Sequence, residues 1–143
     1  MKRWLFLWVI VLAMPALAVD YRTVDTATVL YDGPSLRGNK LFVIRKDTPV
    51  EVVVSLEGWV KVRDAEGGLA WIEKKALAER RTVIVTAARA EIRQKPDESA
   101  PLVFEADRKV SLDYLETAPG GWVKVHHRDG ASGYVRANQI WGL

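Results

Sequence analysis

The chain has 143 residues, no cysteine, and a formal net charge of +3 from 21 Lys+Arg against 18 Asp+Glu. The missing thiols exclude disulfides, thiolate metal sites, a cysteine nucleophile and a lipidated cysteine together. The small net charge excludes the strong field that draws proteins to nucleic acid or anionic lipid.

Met1–Lys2–Arg3 is basic, Trp4 to Met14 is apolar and uncharged, Pro15 interrupts the run, and Ala16–Leu17–Ala18 supplies small residues on either side of a large one. This is the order of a cleavable secretory signal peptide. The run is shorter than the roughly 20 apolar residues that a membrane-spanning helix needs. Cleavage after Ala18 is expected. It would give an exported protein, periplasmic or extracellular, with no membrane attachment afterwards. Removing residues 1–18 leaves 19 Lys+Arg against 18 Asp+Glu, a net charge of +1.

Strand signals dominate from there on. Val29–Leu30–Tyr31 runs into the turn Gly33–Pro34–Ser35, and Leu41–Phe42–Val43 forms the next apolar patch. Val50–Glu51–Val52–Val53–Val54 is β-branched and suits a pleated sheet. After a turn at Glu57–Gly58, Trp59, Lys61 and Arg63 point to one side of a strand and Val60 and Val62 to the other. Asp64 to Gly68 reads as a hairpin loop, Leu69 to Ile72 as the returning strand, and Glu73 to Leu77 as a single closing turn. The connection around 78–82 is short and charged, so the segments on its two sides should abut.

The second half of the chain repeats this plan. Gly121–Trp122–Val123–Lys124–Val125 matches Gly58–Trp59–Val60–Lys61–Val62 letter for letter, 63 residues on. Trp71 to Tyr134 and Leu77 to Ile140 are also steps of 63, while Leu30 to Ile92 and Pro34 to Pro96 are steps of 62. Leu102–Val103–Phe104 matches the earlier apolar patch. Lys109 to Leu115 alternates with period two and is expected to be a strand. A step near 60 is longer than solenoid repeats and indicates two small self-contained units, 19–78 and 79–143. Neither contains an amphipathic helix of ordinary length. The expected fold class is therefore all-β, two tandem small, partly open barrels after the signal helix, and nucleotide-binding α/β folds are excluded.

The ordered set of motifs resembles the bacterial SH3-like (SH3b) domain, twice. Val29 to Ser35 looks like the family's "LNVRSGPS" opening. The Gly-Trp-Val-Lys-Val strand is similar to its central strand, and the Gly/Ala-aromatic-Val/Ile strand at Ala70–Ile72 and Gly133–Val135 to its closing strand. The likeness covers about 24–77 and 86–141. Tyr31 stands where the family usually has the arginine kept at Arg93, Lys95 replaces the turn glycine, and Ala70 replaces the closing glycine kept at Gly133. The resemblance implies a five-stranded, partly open barrel. Family members commonly sit in exported envelope proteins; many bind peptidoglycan or its peptide stems beside a wall-hydrolase domain, and others bind proteins. Fold alone does not choose among these.

The residues argue against chemistry. Wall hydrolases of the kind that carry SH3b domains use a Cys–His pair, and there is no Cys. None of Ser35, Ser55, Ser99, Ser111 and Ser132 lies in a nucleophile elbow. His126 and His127, neighbours at a strand end, point to opposite faces and lack a third ligand at metal spacing. The carboxylates lie mostly in turns. No catalytic residue, metal site or cofactor is expected.

The aromatic residues remain as binding candidates, since Trp and Tyr combine apolar area with a hydrogen-bonding tip. The candidate ligand-binding residues are Tyr31, Trp59 and Trp71 in the first unit and Arg93, Trp122 and Tyr134 in the second. For Trp59 and Trp122, packing the barrel and lining a groove are both open. The expected function is a non-catalytic exported module that binds peptidoglycan peptide or an envelope protein, with no nucleic-acid partner. The alternative is a structural adaptor docked on another periplasmic protein.

Overall fold

The structure is a computed structural model that describes residue 10 and residues 19–143. The expected signal segment thus lies, save for Ile10, outside the described residues. The described chain is all-β, and the only helical segments among the described residues are two three-residue 3₁₀ turns, Lys74–Ala76 and Ala137–Gln139.

The first unit contains β1 (Tyr21–Val24), β2 (Thr28–Tyr31), β3 (Lys40–Ile44), β4 (Pro49–Ser55), β5 (Trp59–Arg63), β6 (Leu69–Glu73) and β7 (Leu77–Ala78). They form one sheet in the order β3-β2-β6-β5-β4-β1-β7. The second unit contains β8 (Thr82–Val85), β9 (Arg89–Arg93), β10 (Leu102–Asp107), β11 (Ser111–Ala118), β12 (Trp122–His126), β13 (Ser132–Arg136) and β14 (Ile140–Trp141). Its order, β10-β9-β13-β12-β11-β8-β14, is the same topology one unit later. All pairings are antiparallel, and neither sheet closes on itself. Each curled sheet thus carries two short strands more than the five-stranded barrel that the resemblance implies.

Strand alternation fills each core. Val60 and Val62 of β5 and Ala70 and Ile72 of β6 face inward with Val24, Leu30, Ile44 and Val50. Val123, Val125 and Val135 do the same beside Val83, Val85, Ile92 and Leu112. The glycine before the central strand, Gly58 or Gly121, adopts positive φ, which a side chain would resist. Trp59 pairs with Glu73 and Trp122 with Arg136, so the two tryptophans hold equivalent positions.

One expectation changes. Lys109 is in a turn at φ 72°, and the strand begins at Ser111. The β-branched run of β4 is not all core: its register shifts between Val52 and Val54, leaving Val53 and Val54 exposed. Leu41, Phe42 and Val43 are exposed as well, on β3, an outermost strand with nothing beyond it.

Only Glu79, Arg80 and Arg81 separate β7 from β8. The units abut, and the joint is specific. The Thr23 hydroxyl lies 2.7 Å from the Arg80 carbonyl and 3.0 Å from the Thr82 hydroxyl, while the Thr82 hydroxyl lies 2.9 Å from the Asp47 carbonyl. Both threonines are buried. The Asp47 carboxylate accepts from Arg80 and from Arg128 of the second unit. The Arg81 guanidinium lies between Tyr21 and Tyr114, at 5.2 and 5.5 Å from the ring centres, and donates to the Gly142 carbonyl at 2.6 Å.

Candidate functional site

β2, β6 and β5 lie side by side in the first sheet, and their residues alternate between core and outer face. Leu30, Val60, Ala70 and Ile72 face the core. Tyr31, Trp59 and Trp71 therefore share the opposite face. Tyr31 sits directly opposite Trp71, and Lys61 opposite Trp71 on its other side. The Tyr31 and Trp59 rings meet edge to face, 5.5 Å between centres at 86°. That geometry sets the positive edge of one ring against the negative face of the other and adds to the apolar contact. It also covers Tyr31, leaving it 7% exposed, while Trp59 and Trp71 stay half-buried. In the first unit the three candidates thus come together, with Trp59 and Trp71 forming a partly accessible aromatic surface backed by the buried Tyr31 and bordered by Lys61.

In the second unit, Arg93 sits opposite Tyr134 and Lys124 on the other side of Tyr134, with its ammonium 5.9 Å from the ring centre. Trp122, however, is covered, at 6% exposure. The Arg136 guanidinium lies over its indole at 4.6 Å from the ring centre and is held there by an ion pair with Glu98. The loop that carries Glu98 is itself pinned. Arg93 donates to the Ala100 carbonyl at 2.9 Å, and the Asp97 carboxylate accepts from the Ser99 amide at 3.0 Å. The Ser99 amide first, and its hydroxyl second, hold the Asp97 carboxyl below its ordinary pKa.

For Trp122, then, the two roles left open by the sequence separate in favour of packing. The cause is two substitutions between the units: Glu73 occupies the place of Arg136, and Leu36 the place of Glu98. Without that latch the first unit's loop is closed on itself, with the Asp32 carboxylate accepting from the Asn39 amide at 2.8 Å and its side chain at 2.9 Å. The charge reversal from Glu73 to Arg136 is visible at the repeat step and was the available signal for this asymmetry.

The histidines do not converge. The His126 ring nitrogen Nδ1 meets the Ser132 hydroxyl at 2.7 Å, whereas His127 lies against Asp129 and Phe104. The Asp129 carboxyl is held low by the Ala131 amide first and by the His127 contact second. Among the described residues no three His, Cys, Asp or Glu side chains group at metal-binding distance. Nor is any helix among them long and apolar enough to cross a membrane.

Solved structures similar to this chain include NlpC2 from Trichomonas vaginalis, at 17% identity and TM-score 0.40 over 88% of this chain and 49% of that one. An NlpC/P60 family protein from Bacillus cereus ATCC 10987 is similar at 19% identity and TM-score 0.38, over 85% of this chain and 55% of that one. The chain spans about half the length of these proteins. No curated protein matches it. The model of the bacterial SH3 domain matches residues 24–79 and again 86–142. Two matches that follow the two sheets and account for most of the chain make it a member of the bacterial SH3 domain family, in tandem form.

Proposed function

We propose that this protein is an exported, non-catalytic binding module that recognises a cell-envelope partner, peptidoglycan peptide or an envelope protein, through the aromatic face of its first unit. The observation that carries this reading is the edge-to-face pair of Tyr31 and Trp59 with Trp71 beside them. A rigid aromatic surface loses little side-chain entropy when a ligand covers it, and the neighbouring Lys61 offers a charge for a carboxylate. The latched Trp122 leaves the second unit with a smaller aromatic surface at Tyr134, flanked by Arg93 and Lys124. Units joined by so short a connection bind a common partner through a high effective concentration.

Co-sedimentation of the purified protein with insoluble peptidoglycan tests the proposal. Wild type is expected in the pellet, and folded Tyr31→Ala and Trp59→Ala proteins in the supernatant. Equal sedimentation of folded variants and wild type overturns the assignment of the site. Soluble wild type that co-purifies with one envelope protein places the partner in the protein class.

A further inference from the structure

The two units provide an internal comparison at their outermost strands, β3 and β10. In the second unit this edge also leaves Leu102 and Val103 exposed, but its phenylalanine is partly covered and its charges are paired. Arg89 bridges Glu105 at 3.3 Å and Asp107 at 3.7 Å, and Phe104 is half-buried against the core with the His127 ring 5.9 Å from its own. In the first unit every one of these covers is replaced. Ala27 stands at the place of Arg89, Val43 at that of Glu105, Arg45 at that of Asp107 and Asp64 at that of His127. Asp64 turns back into its own hairpin, accepting from the Gly68 amide at 2.8 Å. Phe42, the counterpart of Phe104, is consequently 47% exposed, beside Leu41 at 47% and Val43 at 66%. Lys40 and Arg45 flank them, and neither forms an ion pair among the described residues.

The second unit shows that the fold requires neither the exposed Phe42–Val43 pair nor the unpaired basic flanks. β3 hydrogen-bonds β2 on one side only, so its other side offers unpaired backbone groups. We infer that the free edge of β3 docks an extended segment of a partner protein, apolar in alternation and acidic at its flanks, which adds to the sheet as a further strand. Backbone hydrogen bonds along β3 hold the segment, Phe42 and Val43 take its apolar side chains on the two faces, and Lys40 and Arg45 pair with its carboxylates. A second copy of β3 fits poorly. Antiparallel pairing would set the basic end of each strand against the basic end of the other, and like charges across a strand pair repel. A five-residue edge is also far smaller than the roughly 800 Å² per partner of a stable dimer.

This surface is distinct in its residues from the Tyr31–Trp59 pair, and the test separates the two. A fluorescein-labelled peptide, Glu-Val-Thr-Val-Glu-Val-Asp, is titrated into the purified protein beside the same peptide with Gln and Asn in place of its acids. The acidic peptide is expected to bind at least tenfold more tightly than the amide peptide and to weaken with added salt. Lys40→Glu/Arg45→Glu, with unchanged circular dichroism, should weaken it by tenfold or more, and Trp59→Ala should not. Absence of binding, equal binding of the two peptides, or binding unaffected by the double substitution overturns the inference. Concentration-dependent self-association that Val43→Glu abolishes also overturns it, in favour of a second copy.

Discussion

The hydroxyls of Thr23 and Thr82 meet at 3.0 Å across the joint between the two sheets, both out of reach of solvent. Each also lies within hydrogen-bonding distance of a carbonyl, Arg80 for Thr23 and Asp47 for Thr82. Two hydroxyls carry two protons for three contacts, so one contact is always without a proton. The cluster acts as a unit, with its protons shared between the halves of the molecule.

Thr23→Val and Thr82→Val keep the shape and remove a hydroxyl from that cluster. Each is expected to destabilise by about 1–2 kcal/mol, the cost of leaving a buried carbonyl without its donor. The double variant should cost less than the sum of the singles, since they share one network. Urea unfolding of the four proteins measures this, and additive effects would show that the hydroxyls act independently.

The closing strand makes a sharper demand on size in the second unit. A Cβ added at Gly133 would lie 2.5 Å from Cγ2 of Ile92 and 2.7 Å from the Arg93 carbonyl. Gly133→Ala should therefore destabilise by about 1–3 kcal/mol through overpacking. Ala70 holds the equivalent place in the first unit and is already accommodated at 4% exposure. Thermal denaturation should show the alanine tolerated in one sheet and costly in the other.

Trp59 and Trp122 should respond differently to truncation. Trp122→Ala removes a buried ring and is expected to cost about 3–5 kcal/mol. Trp59→Ala should cost less and instead abolish sedimentation with the partner. Arg136→Glu, which brings the first unit's residue into the second, breaks the latch with Glu98. Iodide should then quench a larger fraction of the tryptophan fluorescence than in wild type.

Acid should loosen two turns before the sheets. The Asp97 and Asp129 carboxyls are held below their ordinary value, chiefly by the Ser99 and Ala131 amides. A lowered folded pKa means that the charged form is favoured by folding. The stabilisation is present above the unfolded value near pH 4 and is lost as pH falls through the lower folded value. The Ser99 and Ala131 amide resonances should shift together with carboxyl protonation in that acid range. Asp97→Asn and Asp129→Asn should remove the respective titration.

The repeat made the architecture legible, because identical steps at Trp59/Trp122, Trp71/Tyr134 and Leu77/Ile140 can only be produced by a doubled unit. Alternation likewise set Val60 and Val62 on the face opposite Trp59, and the structure puts the valines in the core. Position along the strand could not say whether the tryptophan face is open. Trp122 is covered because Arg136 and Glu98 meet over it, and such a contact between a strand and a loop has no local signature. Alternation continues through Lys109 and extends the strand pattern over it, whereas its positive φ is set by the tight turn before β11. Strand order, which apolar composition does not encode, leaves Leu41 at an open edge, and the exposure of Phe42 and Val43 follows from the side chains that replace the second unit's covers.

The letter-for-letter identity of the Gly-Trp-Val-Lys-Val strands has a cost during synthesis. While the chain is still folding, β5 and β12 present the same side chains and compete for the same neighbours, and adjoining repeats of like sequence are prone to misassembly by exchange. The remaining residues discriminate. The Glu57–Gly58 turn is shorter than the one through Pro119–Gly121, and Glu73 and Arg136 give each strand a differently charged mate. The divergence between the twins thus serves fidelity as well as recognition, telling each strand which sheet is its own.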